Sequence, residues 1–281
     1  MTGTLLRPAV TGDYHELSRL LVQNRHHRHL DWRDPLTLLG AQPFLILERS
    51  GHITAALACP PDPPGIAWLR LFAAASGESR LHAWNNLWNA ARDFLSQEKV
   101  MVAAIGLHDW LNDLLVSTGF QWKQELVLLE KETASSVDGA MAPTEGIRPM
   151  LVADLAGVKE VDAAAFPDLW QISIGDLHRA HEQSFFAFVY EEQGRLLGYQ
   201  VTTRTSIGLH LARLAVYPAA QGKGIGQLLV RDLFWRAARE GIHRLTVNTQ
   251  GDNMMSLSLY RKLGFQLTGE KYPVFTWSSL R

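Results

Sequence analysis

Apolar residues recur along this chain with two periods, and the periods alternate. Short runs that are apolar at every position or every second position read as strands, and apolar positions three and four apart read as helices. The pattern predicts strand Leu5–Arg7, helix Asp13–Val22, strands Phe44–Glu48, His52–Cys59 and Ile66–Ala74, helix Arg80–Ser96, strand Val100–Ile105, helix Trp110–Ser117 and strand Phe120–Glu130. A second series follows: strand Ile147–Met150, helix Val152–Ala165, then strands Phe185–Tyr190, Leu196–Arg204 and Leu209–Val216. It continues with a helix ending near Glu240 that has Leu229, Leu233 and Ala237 on one face, strand His243–Asn248, helix Asn253–Leu263 and a closing strand from Phe265. Both series run in the same order, with strands outnumbering helices, so the fold class expected is α+β with a predominantly antiparallel sheet.

Sequence echoes support one unit written twice. Arg7-Pro8 recurs as Arg148-Pro149, the Ser50-Gly51 turn as Gln193-Gly194, Leu71 as Leu214, and Gly119-Phe120 as Gly264-Phe265, all about half a chain apart. Between the copies, Glu132 to Glu145 is small, polar and interrupted by Pro143, as linkers are. The expected division is therefore 1–131, a linker at 132–145, and 146–281. The Pro60 to Pro64 stretch reads as a stiff turn between two strands of the first half.

Composition narrows the class. A chain of 281 residues with 47% hydrophobic content supplies cores for two domains. A net charge of −1 lacks the broad positive field of nucleic-acid binders, so no nucleic-acid partner is expected. The one cysteine, Cys59, excludes an internal disulfide. Met1 to Thr4 lacks a signal-peptide pattern, and no apolar run approaches the ~20 residues of a membrane span, so a cytoplasmic protein without a membrane partner is expected.

Candidate chemistry concentrates at Gln221-Gly222-Lys223-Gly224-Ile225-Gly226-Gln227, between the Leu209–Val216 strand and a helix. Glycines tolerate positive φ and keep side chains away from the backbone, so consecutive N–H groups can converge on an anion. The helix start adds unpaired N–H groups and the positive end of its dipole. Lys223 adds a mobile charge, and Gln227 a donor. A Walker loop requires Gly-x-x-x-x-Gly-Lys-Ser/Thr, which is absent, and a dinucleotide fingerprint requires Gly-x-Gly-x-x-Gly directly off the strand. Here Tyr217-Pro218 ends the strand early and the spacing is Gly-x-Gly-x-Gly.

Leu214-Ala215-Val216-Tyr217-Pro218 followed by Gln221 to Gly226 resembles the acetyl-CoA site of the GNAT N-acetyltransferases, Leu-Ala-Val-x-Pro and then Gln/Arg-x-x-Gly-x-Gly/Ala. Asn253 to Phe265 resembles that family's Asn-x-x-Ala-x-x-Leu-Tyr-x-x-x-Gly-Phe segment, with Ser256 where alanine is usual. The resemblance covers residues 146–281. It implies two tandem GNAT-like acyl-CoA N-acyltransferase domains, acetyl-CoA as co-substrate, an amine acceptor and no metal.

By motif position, the resemblance assigns the main chain of Leu214, Ala215 and Val216 to the pantetheine arm and thioester oxygen. It assigns Gln221 to Gln227 to the diphosphate, Asn253 to the pantetheine or substrate side, and Tyr260 to the general acid. The residues also allow plainer readings: Leu214 and Val216 as strand core, Asn253 as a helix cap, Tyr260 as a helix-end ring on Phe265, and Arg261 and Lys262 as a solvated face rather than a contact to the cofactor's 3′-phosphate. No base is identified, and His210 fits a structural role as well as a catalytic one.

The first half has Ala73 to Arg80 where the glycine turn would fall, with an acidic residue, and Leu115 where Tyr260 would fall, so one active site is expected. Asn24 to His29, with three histidines, reads as a solvated loop rather than a metal site, with a substrate-side lip as the other reading. In the second half Asp168 and Trp170 are candidates to grip an ammonium group. Trp84, Trp88, Trp110 and Trp122 read as core or interface. Two functions stay open: an N-acetyltransferase acting on a small-molecule or protein amine, and a non-catalytic acyl-CoA-binding sensor or interaction protein.

Overall fold

The structure, a computed structural model, describes residues 3–97, 100–132 and 145–278. The first series comprises β1 (Thr4–Pro8), α1 (Tyr14–Gln23), β2 (His26–Arg28), β3 (Phe44–Arg49), β4 (His52–Ala58), β5 (Ile66–Trp68), β6 (Leu71–Ala74), α2 (Arg80–Ser96), β7 (Met101–Ile105), α3 (Asp109–Ser117) and β8 (Gln121–Glu132). The second comprises β9 (Ile147–Pro149), α4 (Leu155–Ala165), α5 (Ile174–Glu182), β10 (Phe186–Glu192), β11 (Arg195–Thr205), β12 (Gly208–Val216), α6 (Ile225–Arg239), β13 (Arg244–Gln250), α7 (Met254–Lys262) and β14 (Gln266–Ser278). The fold class is the mixed, antiparallel-dominated one that the pattern predicts.

Two compact units form, Met1–Gln124 with Tyr272–Arg281, and Glu125–Lys271. This division follows hydrogen bonding rather than linker composition. Strand β8 pairs with β13, Leu126 to Glu132 opposite Gln250 to Arg244, and so belongs to the second unit. The last residues of β14, Val274–Ser278, pair antiparallel with β7 in the first. Residues 133–144 of the expected linker lie outside the described residues.

In the first unit β1, β3, β4, β6 and β2 form an antiparallel sheet in that order. Its core centres on α2, whose Trp84, Leu87, Trp88, Ala91 and Leu95 are fully buried. The Trp84 and Trp88 rings lie 5.9 Å apart and nearly parallel, one helical turn apart as the spacing requires. Trp84 Nε1 donates to Thr118 Oγ1 at 3.1 Å, so its polar edge is satisfied in the core. Trp122 departs from the core reading, being 63% exposed on the strand that leaves the unit.

In the second unit β8, β13, β12, β11, β10 and β9 lie in that order. The β12–β13 pair is parallel; β8–β13, β12–β11, β11–β10 and β10–β9 are antiparallel. One apolar cluster joins Leu209, Leu211, Leu229's neighbours Val230 and Leu233, and Tyr260 with Phe265. Helix α5 was not expected. Its signals are Ser173, whose Oγ accepts from Asp176 N–H at 3.1 Å, and the apolar spacing of Ile174, Leu177 and Ala180 in a short, otherwise polar stretch.

The sequence echoes are echoes in bonding. Arg7 holds Asp13 through both terminal nitrogens at 2.8 and 2.9 Å and Glu48 through Nε at 3.0 Å. Arg148 holds Asp154 at 2.7 and 2.8 Å and Glu191 at 2.8 Å in the same arrangement. Both aspartates also accept from a backbone N–H three residues earlier, of Val10 and Leu151. Arginine bonding holds the carboxyls of Asp13 and Asp154 below the usual range. The tight turns match as well, with positive φ at Ser50 and Gly51 and at Gln193 and Gly194.

The Asn24 to His29 segment corrects a sequence expectation. It is not a solvated loop: His26–Arg28 pairs antiparallel with β6, His27 is fully buried and His29 is 8% exposed. The expected single strand Ile66–Ala74 is two, because the chain leaves β7 after Trp68 and joins β4 and β2 from Leu71. Polar residues in a three-residue strand carry no alternation to read, so pairing partners decide the structure.

Burial pushes His27 down to about 4, with the nearby charges of His108 and His26 acting in the same direction against a bond to the Leu69 carbonyl. Burial, with Arg70 and His27 beside it, lowers His29 as well. The unfolded chain takes up these protons near ~6.5, whereas the folded chain resists until lower pH, so stability falls as pH drops from about 6.5 toward 4. The expected slope is about 1.4 kcal/mol per pH unit for each ring. Urea unfolding at pH 7, 6 and 5 checks this: His29→Phe, which keeps the ring stack on Trp68, should show a shallower loss with acid than the parent chain.

Candidate active site

Strand β12 has two different sides. Toward β11 it pairs from Gly208 to Val216, with one bulge at Val201/Thr202. Toward β13 it pairs only at Leu209, His210 and Leu211. Tyr217 N–H donates to the Leu197 carbonyl at 2.8 Å, which fixes the phase of the β11 ladder. Arg213, Ala215 and Tyr217 therefore bond across to β11, and the peptide groups of Leu214 and Val216 point to the side that β13 has left. The Val216 carbonyl accepts from Gln221 Nε2 at 3.1 Å, which ties the turn back to the strand.

A short 3₁₀ turn, Pro218–Ala220, leads from the strand to the glycines. Gly222 and Gly224 have φ of +78° and +86°, where only glycine is unstrained. A Cβ built on either meets nothing within 4 Å, so open space lies over both. Gly224 is the N-cap of α6, and Leu228 N–H makes the first helical bond, to the Gly224 carbonyl at 3.0 Å. The N–H groups of Ile225, Gly226 and Gln227 come before it, without intrahelical acceptors. Gly226 differs from the other two: it sits in the helix, where a Cβ would touch Leu259 at 3.4 Å. Gln221, Gly222, Lys223 and Gly224 are exposed, whereas Ile225 is buried as an anchor.

Tyr260 lies on α7, 5% exposed, its ring 5.5 Å from that of Phe265 at 65°. Burial pushes its phenol above the ordinary range, and among the described residues its hydroxyl makes no hydrogen bond. Asn253 caps α7, its Oδ1 accepting from Ser256 N–H at 3.1 Å. Phe265 N–H donates to the Tyr260 carbonyl at 3.0 Å, and Phe120 N–H to the Leu115 carbonyl at 3.0 Å. That bond confirms Leu115 as the first-half counterpart of Tyr260. Arg261 and Lys262 are exposed.

His210 is held at both ring nitrogens, Nδ1 with Thr246 Oγ1 at 2.9 Å and Nε2 with Asn248 Oδ1 at 2.8 Å. Burial lowers its pKa, with the Asn248 bond opposing, and the ring is engaged as a strand-to-strand link.

A buried network beside β12 left no motif in the sequence. Asp162 on α4 is fully buried and accepts from Tyr199 Oη at 2.5 Å and Arg213 Nε at 2.6 Å. Arg213 also donates to the Trp170 carbonyl at 2.6 Å and lies over the Phe166 ring at 4.1 Å. Ile172 N–H closes the set on Asp162 Oδ1 at 3.1 Å. Burial lifts the Tyr199 phenol well above its usual range; for Arg213 the lowering by burial is outweighed by Tyr199 and Asp162. The loop 166–172, with Asp168 exposed and Trp170 half-buried, is thus fastened to the residue next to Leu214.

Arg213→Met would leave the Asp162 carboxylate buried without its cation, a loss of about 3–5 kcal/mol. Urea unfolding reads that loss, and adding Asp162→Asn to the same variant should return part of it. A loss below about 1 kcal/mol would mean that the pair behaves as a surface pair and does not hold the loop.

Comparison with known proteins shows what this region is similar to. Residues 155–265 match the model of the Acetyltransferase (GNAT) family. Mycothiol acetyltransferase of Amycolatopsis mediterranei (strain U-32) is 28% identical over 193 residues, which cover 58% of this chain and 63% of that protein. N-alpha-acetyltransferase RimI of Mycobacterium tuberculosis is 40% identical over 80 residues, covering 27% of this chain and 49% of that protein. The chain therefore spans less than two thirds of the length of these curated relatives. The solved structure of a tandem GNAT protein from the clavulanic acid biosynthesis pathway superposes with a TM-score of 0.65 at 14% identity, over 99% of each chain. The strand, glycine turn, helix and Tyr260 all fall inside the residues of the C-terminal half that match the GNAT family model.

Proposed function

We propose that the chain is an N-acetyltransferase that moves the acetyl group of acetyl-CoA to a primary amine by direct attack in a ternary complex, with one active site in residues 146–281. The observation that carries this reading is the edge of β12 that β13 leaves at Leu214 and Val216, where the Val216 carbonyl is taken by Gln221, running into a glycine turn with open space over Gly222 and Gly224. The N–H groups from Gly222 to Gln227 receive the diphosphate, with Lys223 adding charge at the surface. The pantetheine arm lies along Leu214 to Val216 as an extra strand would, which directs the thioester toward Tyr260.

The neutral amine attacks the thioester carbonyl carbon, and the C–N bond forms. Main-chain N–H at the β12 edge donates to the developing oxyanion, an interaction worth ~3–4 kcal/mol in sites of this kind. Collapse of the intermediate breaks the C–S bond. The departing thiolate takes the Tyr260 proton, the proton shed by the attacking nitrogen passes to water, and the tyrosinate recovers a proton from water before the next turnover. The Tyr260 phenol is protonated throughout the neutral range, and because burial also makes it a weaker acid, proton transfer to the thiolate depends on close positioning against the sulfur. His210 is bonded at both nitrogens, which favours a water-mediated route for the amine's proton.

The acceptor side is the loop 166–172, where Asp168 and Trp170 offer a carboxylate and a ring to an ammonium-bearing substrate. The names of the relatives set two acceptor classes to assay: a small molecule of the mycothiol kind, and the α-amine of a protein.

Thiol release from acetyl-CoA against a panel of both classes tests the reading. Tyr260→Phe is expected to keep acetyl-CoA affinity and folding stability, because no hydrogen bond is lost among the described residues, while turnover falls at least tenfold, roughly the lower end for a positioned acid. Full turnover by that variant removes Tyr260 from the mechanism. Coenzyme binding without thiol release across the panel favours a binding protein instead. Gly222→Val, whose side chain enters the open space over the turn, is expected to weaken coenzyme binding about tenfold or more while α6 still forms.

A further inference from the structure

The gap beside β12 has a counterpart in the first unit, and there it is filled. Strand β5 pairs in parallel with β7 at Ile66, Ala67 and Trp68, as β12 pairs with β13 at Leu209, His210 and Leu211. In both units the chain then leaves that neighbour. The matching turns at Ser50-Gly51 and Gln193-Gly194, and the matching bulges at Leu47/Glu48 and Tyr190/Glu191, put Ala55 in the place of Gly198 and Leu57 in that of Gln200. Leu57 faces Phe72, and Gln200 faces Leu214; Ala55 faces Ala74, and Gly198 faces Val216. Phe72 and Ala74 are therefore the counterparts of Leu214 and Val216, one position on from the Leu71–Leu214 match that the sequence suggests.

Strand β2 runs along that edge, His26 opposite Ala73, His27 opposite Phe72 and Arg28 opposite Leu71. His29 N–H donates to the Arg70 carbonyl at 3.0 Å, a phase that makes His27 and Phe72 the bonded pair. The main-chain groups matching those of Leu214 are thus consumed by the chain itself. Side chains fasten the strand in place. His27 Nε2 bonds the Leu69 carbonyl at 3.0 Å, the His29 ring stacks on Trp68 at 4.7 Å, and Arg70 pairs with Asp31.

The helix that follows is closed by independent means. Ser79 caps α2 and its Oγ accepts from His82 N–H at 3.3 Å, whereas Gly224 at the start of α6 offers no side chain. Glu78, its side chain 4% exposed and 3.5 Å from Arg49, supplies a carboxylate of the chain's own at that helix start.

We propose that β2 is an internal plug: it occupies in the first unit the groove that in the second receives the pantetheine arm, so each chain binds one coenzyme A and only at residues 214–227. The proposal rests on the acetyl-CoA reading of the second unit. Calorimetric titration of the full chain with coenzyme A, followed by hydrogen exchange with and without the ligand, tests it. One site per chain is expected. Exchange in peptides covering 212–228 should slow about tenfold or more at large ligand excess, while peptides covering 26–29 and 70–80 stay unchanged. Two sites, or slowing at 70–80, overturns the plug and leaves the second site standing. Zero sites overturns the coenzyme reading and the plug with it.

Discussion

Strand β12 keeps β11 on one side and loses β13 on the other, and the peptide groups of Leu214 and Val216 stand where the partner is lost. A main-chain N–H or C=O held away from water without a partner costs free energy comparable to a lost hydrogen bond, so an open edge within a sheet has to be met by something. The two units meet it differently. In the first, β2 supplies the missing ladder from the chain itself. In the proposed function of the second, a thioester substrate supplies it, and the glycine turn and α6 start stand in line to take the charged end of that same molecule. The geometry of the β12 edge and the composition of the turn are two parts of one requirement, because a ligand lying along an edge must be gripped at an end.

Much of the element order was legible because both periods are strong. Helix α2 has the limits that the pattern predicts, and the strand, glycines and helix around position 224 follow one another as read. Positive φ at Gly222 and Gly224 is what the turn demanded; Gly226 was counted with them but serves close packing against Leu259 instead. Strand β2 was not legible, since His-His-Arg has no alternation and becomes a strand only by lying on β6. Nor was the Asp162–Tyr199–Arg213 network, whose members are widely separated in the chain and belong to elements read as ordinary amphipathic ones. A buried aspartate on the apolar face of α4 and an arginine inside an apolar strand were the signals available. Neither names its partner, because a partner is a fact of tertiary structure.

The duplicated frame shows which parts of the unit are tied to shape and which to chemistry. The Arg7–Asp13–Glu48 and Arg148–Asp154–Glu191 brackets agree atom for atom, as do the turns and bulges between the second and third strands of each sheet. These fix how the first helix enters and how the central hairpin is registered, and both units need that to fold. The copies diverge where no folding requirement operates. Glycine at the turn becomes Ser-Gly-Glu-Ser, and the tyrosine seven residues into the last helix becomes Leu115, a shorter core residue without a hydroxyl. Once the polar end of that side chain has no substrate to serve, burial favours its removal, since an unpartnered hydroxyl in an apolar cluster costs stability.

The position of Arg213 bears on how an acceptor could be aligned with a thioester. A buried ion pair is a weak source of stability, since desolvation of both charges offsets much of their attraction, and an apolar pair of similar volume would hold α4 to β12 as firmly. What an apolar pair lacks is direction. The guanidinium bonds Asp162, Tyr199 and the Trp170 carbonyl at distances of 2.6 to 2.9 Å, and each bond has an angle as well as a length. The loop 166–172 is thereby set at one height against the residue that precedes Leu214. In the proposed reaction, the amine must arrive within bonding distance of a carbonyl carbon held on the β12 edge, and misplacement of about 1 Å is enough to slow such a step by a hundredfold. A loop resting on apolar contacts alone slides by that much at little cost, and a loop hung from a fixed arginine does not.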